Sequence, residues 1–155
     1  MSLHKYHNKE YLSNTHLKDK QDEMKRKGGK NEQAIYVIQE HHATHLHWDL
    51  RLEMNGVLRS WAVPKEPPKT TGVRRLAVEV EDHLLDYAFF EGVIPEGEYG
   101  AGVVKLWDKG TYETVSVTKN KIIFNICGKR LKGNYCLLRA GLGGKAKNWL
   151  FFKMK

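Results

Sequence analysis

Long apolar runs are missing from this chain. None approaches the roughly 20 residues needed to span a bilayer, and the N-terminus, Met1-Ser2-Leu3-His4-Lys5, lacks the apolar core of a secretory signal. Neither a membrane partner nor export is expected. Cysteine is scarce: Cys127 and Cys136 are the only two, they sit in strand-like runs, and they match no zinc spacing. Both are read as reduced core thiols of a cytoplasmic protein. Negative charge is in deficit, with 18 Asp and Glu against 26 Lys and Arg, giving a net charge of +8 and a pI near 9.4. That balance favours an anionic partner, nucleic acid first. Proline is rare, and three of the 4 fall in Pro64-Lys65-Glu66-Pro67-Pro68, which cannot be a central strand because proline removes ladder donors. There is no internal repeat, and Gly141-Leu142-Gly143-Gly144-Lys145 is the one biased segment.

What remains is mostly strand pattern. The 155 residues suffice for one domain with a real core. Residues 1–32 are polar and end in Lys25-Arg26-Lys27-Gly28-Gly29-Lys30, so they read as a flexible basic N-terminal arm, with at most a short helix before Gly28. Residues 33–155 read as the folded domain. Strands are predicted at Ala34 to His41, His45 to Met54, Val57 to Val63, Leu76 to Glu81, Val103 to Trp107, Thr111 to Val117, Lys121 to Cys127, Gly133 to Arg139 and Trp149 to Lys153. Asn55-Gly56 is a two-residue hairpin turn signal, and Asp108-Lys109-Gly110 reads as a second turn. The segment Glu91 to Gly102 reads as a glycine-rich loop. It lacks the Lys-Ser/Thr ending and the following helix of a phosphate-binding loop. The predicted fold is mainly β: a compact antiparallel barrel of eight or nine strands, closed or nearly so, with little helix.

The chemistry is concentrated between His41 and Arg51, where four histidines, an aspartate and an arginine fall in eleven residues. From Leu46 onward apolar and polar residues alternate, as in a half-buried strand, so His47, Asp49 and Arg51 share one face. Imidazole and carboxylate are standard ligands of divalent transition metals. His41 has the same parity, but six residues of continuous strand would place it roughly 20 Å from His47. A hairpin centred on Thr44 removes the difficulty, setting His41 opposite His47 and Gln39 opposite Asp49. The predicted metal triad is His41, His47 and Asp49, with positions left open for water or substrate. A nitrogen and oxygen set without thiolate suits manganese, iron or zinc.

Across the Asn55-Gly56 turn, Arg51 falls opposite Ser60 and Asp49 opposite Ala62. Both partners are small, leaving space above the polar face. Arg51, Lys65 and Arg75 are candidate phosphate contacts, serving the substrate rather than the fold, and arginine can grip a phosphate with two parallel bonds. His83 is positioned to contact the phosphate or to protonate a leaving group, and Tyr87 lies four residues beyond it.

Gln39-Glu40-His41-His42-Ala43, Leu46-His47-Trp48-Asp49-Leu50-Arg51-Leu52-Glu53, Gly56 to Lys65, Val80-Glu81-Asp82-His83 with Asp86-Tyr87, and Glu91 to Gly102 occur in this order. Together they resemble the 3′-phosphoesterase domain of bacterial DNA ligase D, from about Ile35 to Lys153. The resemblance implies a β-barrel enzyme that uses manganese, with zinc or another divalent ion also accommodated. It implies action on the 3′ ends of DNA or RNA–DNA primer–templates in repair by end joining. There it removes a terminal ribonucleoside (phosphodiesterase) and a 3′-phosphate (phosphomonoesterase) to leave a 3′-hydroxyl. It assigns metal-ligand places to His41, His47 and Asp49, and places around the scissile phosphate to Gln39, Arg51, Lys65, Arg75, His83 and Tyr87. A stand-alone monomer working at the nucleoid with a separate ligase and polymerase is expected.

The chain departs from the family at His42, where an acidic residue is frequent. It departs also in the arm, where Lys9-Glu10-Tyr11-Leu12 and Thr15-His16-Leu17 match the family's pattern poorly. Two other classes fit the bare residues: an iron oxygenase with His47, Asp49 and a distal His83 as its triad, and a non-catalytic nucleic-acid-binding barrel.

Overall fold

Asn55 and Gly56 both take positive φ, 52° and 84°, which is the conformation a tight hairpin turn demands and which asparagine and glycine tolerate. They join β2 (Leu46–Met54) to β3 (Val57–Val63). The computed structural model describes residues 33–155; the arm expected over 1–32 lies outside the described residues. The other strands are β1 (Ala34–His42), β4 (Arg74–His83), β5 (Gly92–Ile94), β6 (Gly102–Val117), β7 (Lys121–Cys127), β8 (Lys132–Arg139) and β9 (Asn148–Lys153), with short 3-10 helices at Leu85–Phe89 and Leu142–Gly144. The strands pair antiparallel in the order β1-β2-β3-β4-β9-β8-β7-β6-β5, and β1 also pairs with β6. Eight strands therefore close into a barrel, and β5 is an extra strand on the edge of β6.

Three expectations are corrected. The predicted turn at Asp108-Lys109-Gly110 does not exist: β6 runs through it, shifted in register opposite Ile38 and Gln39. The Asp108 carboxylate is buried and accepts bonds from the Tyr36 hydroxyl and the backbone N–H groups of Lys129, Arg130 and Leu131, so a turn-forming residue serves as an anchor for the β7–β8 loop. Gly110 passes so close to the Cys127 carbonyl that a Cβ there would clash. Secondly, Gly92–Ile94, read as loop, pairs with β6 as a strand. Thirdly, Cys127 is exposed; only Cys136 is a core thiol, and neither forms a disulfide.

Strand alternation builds two apolar clusters. The larger draws on all eight barrel strands, among them Tyr36, Leu50, Trp61, Ala77, Tyr112, Phe124, Tyr135 and Trp149, and fills the interior. The smaller comes from residues of opposite parity on the outer side of the wall, Ile35, Val37, Leu58 and Val104, packed under Leu85, Tyr87, Ala88 and Ile94. The segment between β4 and β6 thus lies over the outer face of the β1–β2–β3 wall, beside the histidines.

Candidate metal centre

Antiparallel register assembles the site. On β2, His47, Asp49 and Arg51 point away from the barrel interior. β1 sets His41 opposite His47 and Gln39 opposite Asp49, while β3 sets Ala62 opposite Asp49 and Ser60 opposite Arg51. One ligand atom from each of His41, His47 and Asp49 lies within 4.8 Å of the others. Asp49 Oδ2 is 3.6 Å from His41 Nδ1 and 3.3 Å from His47 Nε2. The remaining ring nitrogens face carbonyl oxygens: His41 Nε2 is 2.7 Å from Gly100 O, and His47 Nδ1 is 3.0 Å from His45 O. A carbonyl only accepts, so each imidazole donates from that nitrogen and presents its other nitrogen to Asp49, as a hydrogen-bond donor when the ring is protonated and as a ligand atom when it is neutral. Metal-binding histidines are held this way by their outer partners, and the donor set fits a divalent cation.

Burial by itself would raise the Asp49 carboxyl. The Arg51 guanidinium and the hydrogen bonds to His41 and His47 outweigh it and hold the group well below the usual carboxylate range. Asp49 is therefore an anion, as a ligand must be. Burial works against the charged form of His47, but Asp49 overcomes it and raises its pKa above the ordinary value.

Arg51 is buried at 3% exposure. Its Nε donates to Gln39 Oε1 at 2.6 Å, one Nη lies 2.8 Å from Ser60 Oγ and 3.0 Å from His83 Nδ1, and the other lies 3.4 Å from Asp49. Gln39 is wholly buried and spends its amide on the Tyr87 and Phe90 carbonyls, at 3.0 and 3.2 Å. It ties Arg51 to the covering segment. His83 Nδ1 stands between the Arg51 guanidinium, which can only donate, and the Glu81 carbonyl, which can only accept and lies 3.1 Å away. Tyr87 is buried with its ring 4.9 Å from the Arg51 guanidinium carbon, and burial pushes its hydroxyl up to about 12.

These groups border a cavity of about 240 Å³ lined by His41, His47, Asp49, Arg51, His83 and Tyr87, with Ala43, Ala62, Val80, Ile94, Tyr99 and Gly100 completing it. Lys65 and Arg75 do not line it. Lys65 is exposed just past β3. Arg75 stands opposite the interior residue Phe151 and donates to Glu66 O at 2.7 Å. Gln39 borders Arg51 rather than the cavity. His42 pairs with Glu40 at 2.6 Å, away from the ligand set. Sequence reasoning missed Gly100 and Tyr99. Both fall in the Glu91 to Gly102 motif that carries part of the resemblance, but no spacing rule links position 100 to His41.

The fold and site define a closed β-barrel with a two-histidine, one-carboxylate centre set against a buried arginine, an arrangement suited to a phosphate ester. The family model described as the DNA ligase D 3′-phosphoesterase domain matches residues 39–139, and the chain belongs to that family. It is 47% identical over 125 residues to a multifunctional non-homologous end joining protein LigD of Pseudomonas aeruginosa, covering 77% of this chain and 15% of that protein. It is 49% identical over 124 residues to a multifunctional non-homologous end joining DNA repair protein LigD of Mycobacterium tuberculosis, covering 77% and 16%. A Mycolicibacterium smegmatis LigD is 46% identical over 140 residues, covering 83% and 18%. The chain spans less than a fifth of the length of these relatives.

Proposed function

We propose that this protein is a metal-dependent phosphoesterase of DNA 3′ ends, acting in end joining. It would remove a terminal ribonucleoside and then the 3′-phosphate, leaving a 3′-hydroxyl. The observation that carries this is the convergence of His41 Nδ1, His47 Nε2 and Asp49 Oδ2 beside a buried arginine on the wall of one small cavity. His41, His47 and Asp49 would hold the ion, and manganese is the member of the permitted set that the family favours. When bound, it supplies Lewis-acid polarisation of a phosphoryl oxygen. Arg51 offers fixed donors to the phosphate where charge develops. Gln39 is a positioning residue: by taking Nε it turns the Nη atoms toward the cavity. His83 would contact the phosphate or donate a proton to the leaving oxygen. Tyr87 stays protonated at neutral pH and supplies a hydroxyl donor. Lys65 and Arg75, outside the cavity, would hold phosphates of the strand leading to it. The substrate is a DNA or RNA–DNA primer–template end, and a separate ligase and polymerase are the proposed partners.

The test is an end-labelled primer–template with one terminal ribonucleotide, incubated with manganese. Loss of the nucleoside followed by release of phosphate is expected, and excess chelator should stop both. Internal cutting, equal action on a 5′-phosphate, or full activity in chelator would overturn the reading. The oxygenase alternative takes a distal histidine such as His83 as third ligand. With its Nδ1 against the Arg51 guanidinium, that residue is a poorer cation ligand than His41.

A further inference from the structure

Beside the histidines, Asp49 and Arg51, the cavity wall includes the apolar residues Ala43, Val80 and Ile94, and Tyr99 lines it while remaining 51% exposed. A single phosphate needs only the charged and imidazole groups. Tyr99 sits on the turn from Pro95 to Gly100, where Glu98 N–H bonds Pro95 O and Gly97 and Gly100 take positive φ. That turn also carries Glu96 and Glu98, and Glu81 stands two residues before the cavity residue His83 on β4, its carbonyl 3.1 Å from His83 Nδ1; its charge, after burial, raises the Tyr99 hydroxyl pKa. By contrast, Lys65 sits just past β3, and Lys145 and Lys147 flank Val78, the β-sheet neighbour of Ala62. The surround of the site is therefore divided by charge.

The division assigns directions to a nucleic-acid strand. The retained strand carries further phosphates and belongs on the basic side. A terminal nucleoside carries no further phosphate, and it alone can sit among carboxylates beside an exposed aromatic ring, on which any base can stack. Resting on the function proposed above, we infer that Tyr99 is the stacking platform of a leaving-nucleoside subsite, and that Glu81 and Glu96 beside it repel a strand that continues past the reacting phosphate. End specificity then follows from electrostatics, not from a blocked groove.

The test compares two ends of the same primer–template, one bearing a terminal ribonucleotide and one a 3′-phosphate. Tyr99→Ala should lower the ratio of nucleoside release to phosphate release about ten-fold, chiefly through KM, in line with the loss of one base–aromatic stack. Tyr99→Phe should restore the ratio. The double variant Glu81→Gln, Glu96→Gln should raise activity several-fold on an end whose last nucleoside carries a further 3′-phosphate, relative to the plain ribonucleotide end. An unchanged ratio in Tyr99→Ala, or an equal fall in both reactions, would overturn the assignment. So would a double variant with unaltered preference. Wild-type protein that processes neither end would instead refute the function itself, and this inference with it.

Discussion

The two faces of β2 do different work with alternate residues of one strand. Leu50 and Leu52 point into the barrel, where they meet Tyr36, Trp61 and the rings of the far wall. Asp49 and Arg51, from the positions between, point outward and are also buried. Yet the outer face is filled differently. The interior closes on large rings, with Trp61 and Trp149 edge to face at 5.6 Å and Phe124 stacked on Phe151 at 6.4 Å. The outer face has Ser60 and Ala62 where bulk would otherwise sit, and the space they leave is the cavity. Shape-filling sustains the first face; paired charges and hydrogen bonds sustain the second. Substitutions should separate these roles, and Arg51 is where they overlap.

The largest effect on the fold is expected inside. Trp61 is wholly buried, and Trp61→Ala removes its contact with Trp149 and leaves a void, at a cost of about 4 kcal/mol. Chemical denaturation should show this loss, while any folded fraction keeps its metal-dependent turnover. A loss below about 1 kcal/mol would mean that the interior repacks freely.

Arg51→Ala should break both faces. Without the guanidinium, Gln39 Oε1, Ser60 and the Asp49 carboxylate lose a buried partner. Roughly 3 kcal/mol of stability should go, together with two or more orders of magnitude in rate. This corrects the expectation that Arg51 serves only the substrate. Arg51→Lys should recover part of the rate, because the charge returns but not the planar set of donors that reaches Gln39 and Ser60 together. Normal turnover per folded molecule in Arg51→Ala would make the residue purely structural.

Strand period explains why so much of the site was visible beforehand. Alternation from Leu46 fixed which β2 residues share a face, Asn55-Gly56 fixed the β2–β3 register, and the short reach of a metal ion required the chain to turn between His41 and His47. All three are local constraints. Among the described residues the total of nine strands was right for the wrong reasons: splitting β6 at Asp108-Lys109-Gly110 offset the omission of Gly92–Ile94. A turn-type tripeptide looks the same whether it turns or, as here, lets a buried aspartate bind a distant loop. The burial of Arg51 was equally hidden. It depends on the segment after β4, tied down where Gln39 donates to the Phe90 carbonyl, 51 positions along the chain from Gln39, and no periodicity in β2 reports what covers its outer face.

His47 gives the sharpest separation of the two faces, with the smallest effect on stability. Its side chain is 25% exposed, its polar contacts are the His45 carbonyl and Asp49, and its ring lies 4.7 Å from that of His41. Removing it opens no interior void, and Asp49 keeps Arg51 as a partner. His47→Ala should therefore change stability by less than about 1 kcal/mol without metal. A ligand that binds only the folded state raises the melting temperature as its concentration exceeds Kd. Added manganese should do this for the wild type, and the variant should lose most of that gain along with metal-dependent cleavage. The two readouts separate the possible failures. A preserved manganese-induced shift with lost cleavage would make His47 a group that acts on substrate while the ion is held elsewhere. A preserved shift with preserved cleavage would remove His47 from the site, and the outer face of β2 would then lack the chemistry that distinguishes it from the inner one.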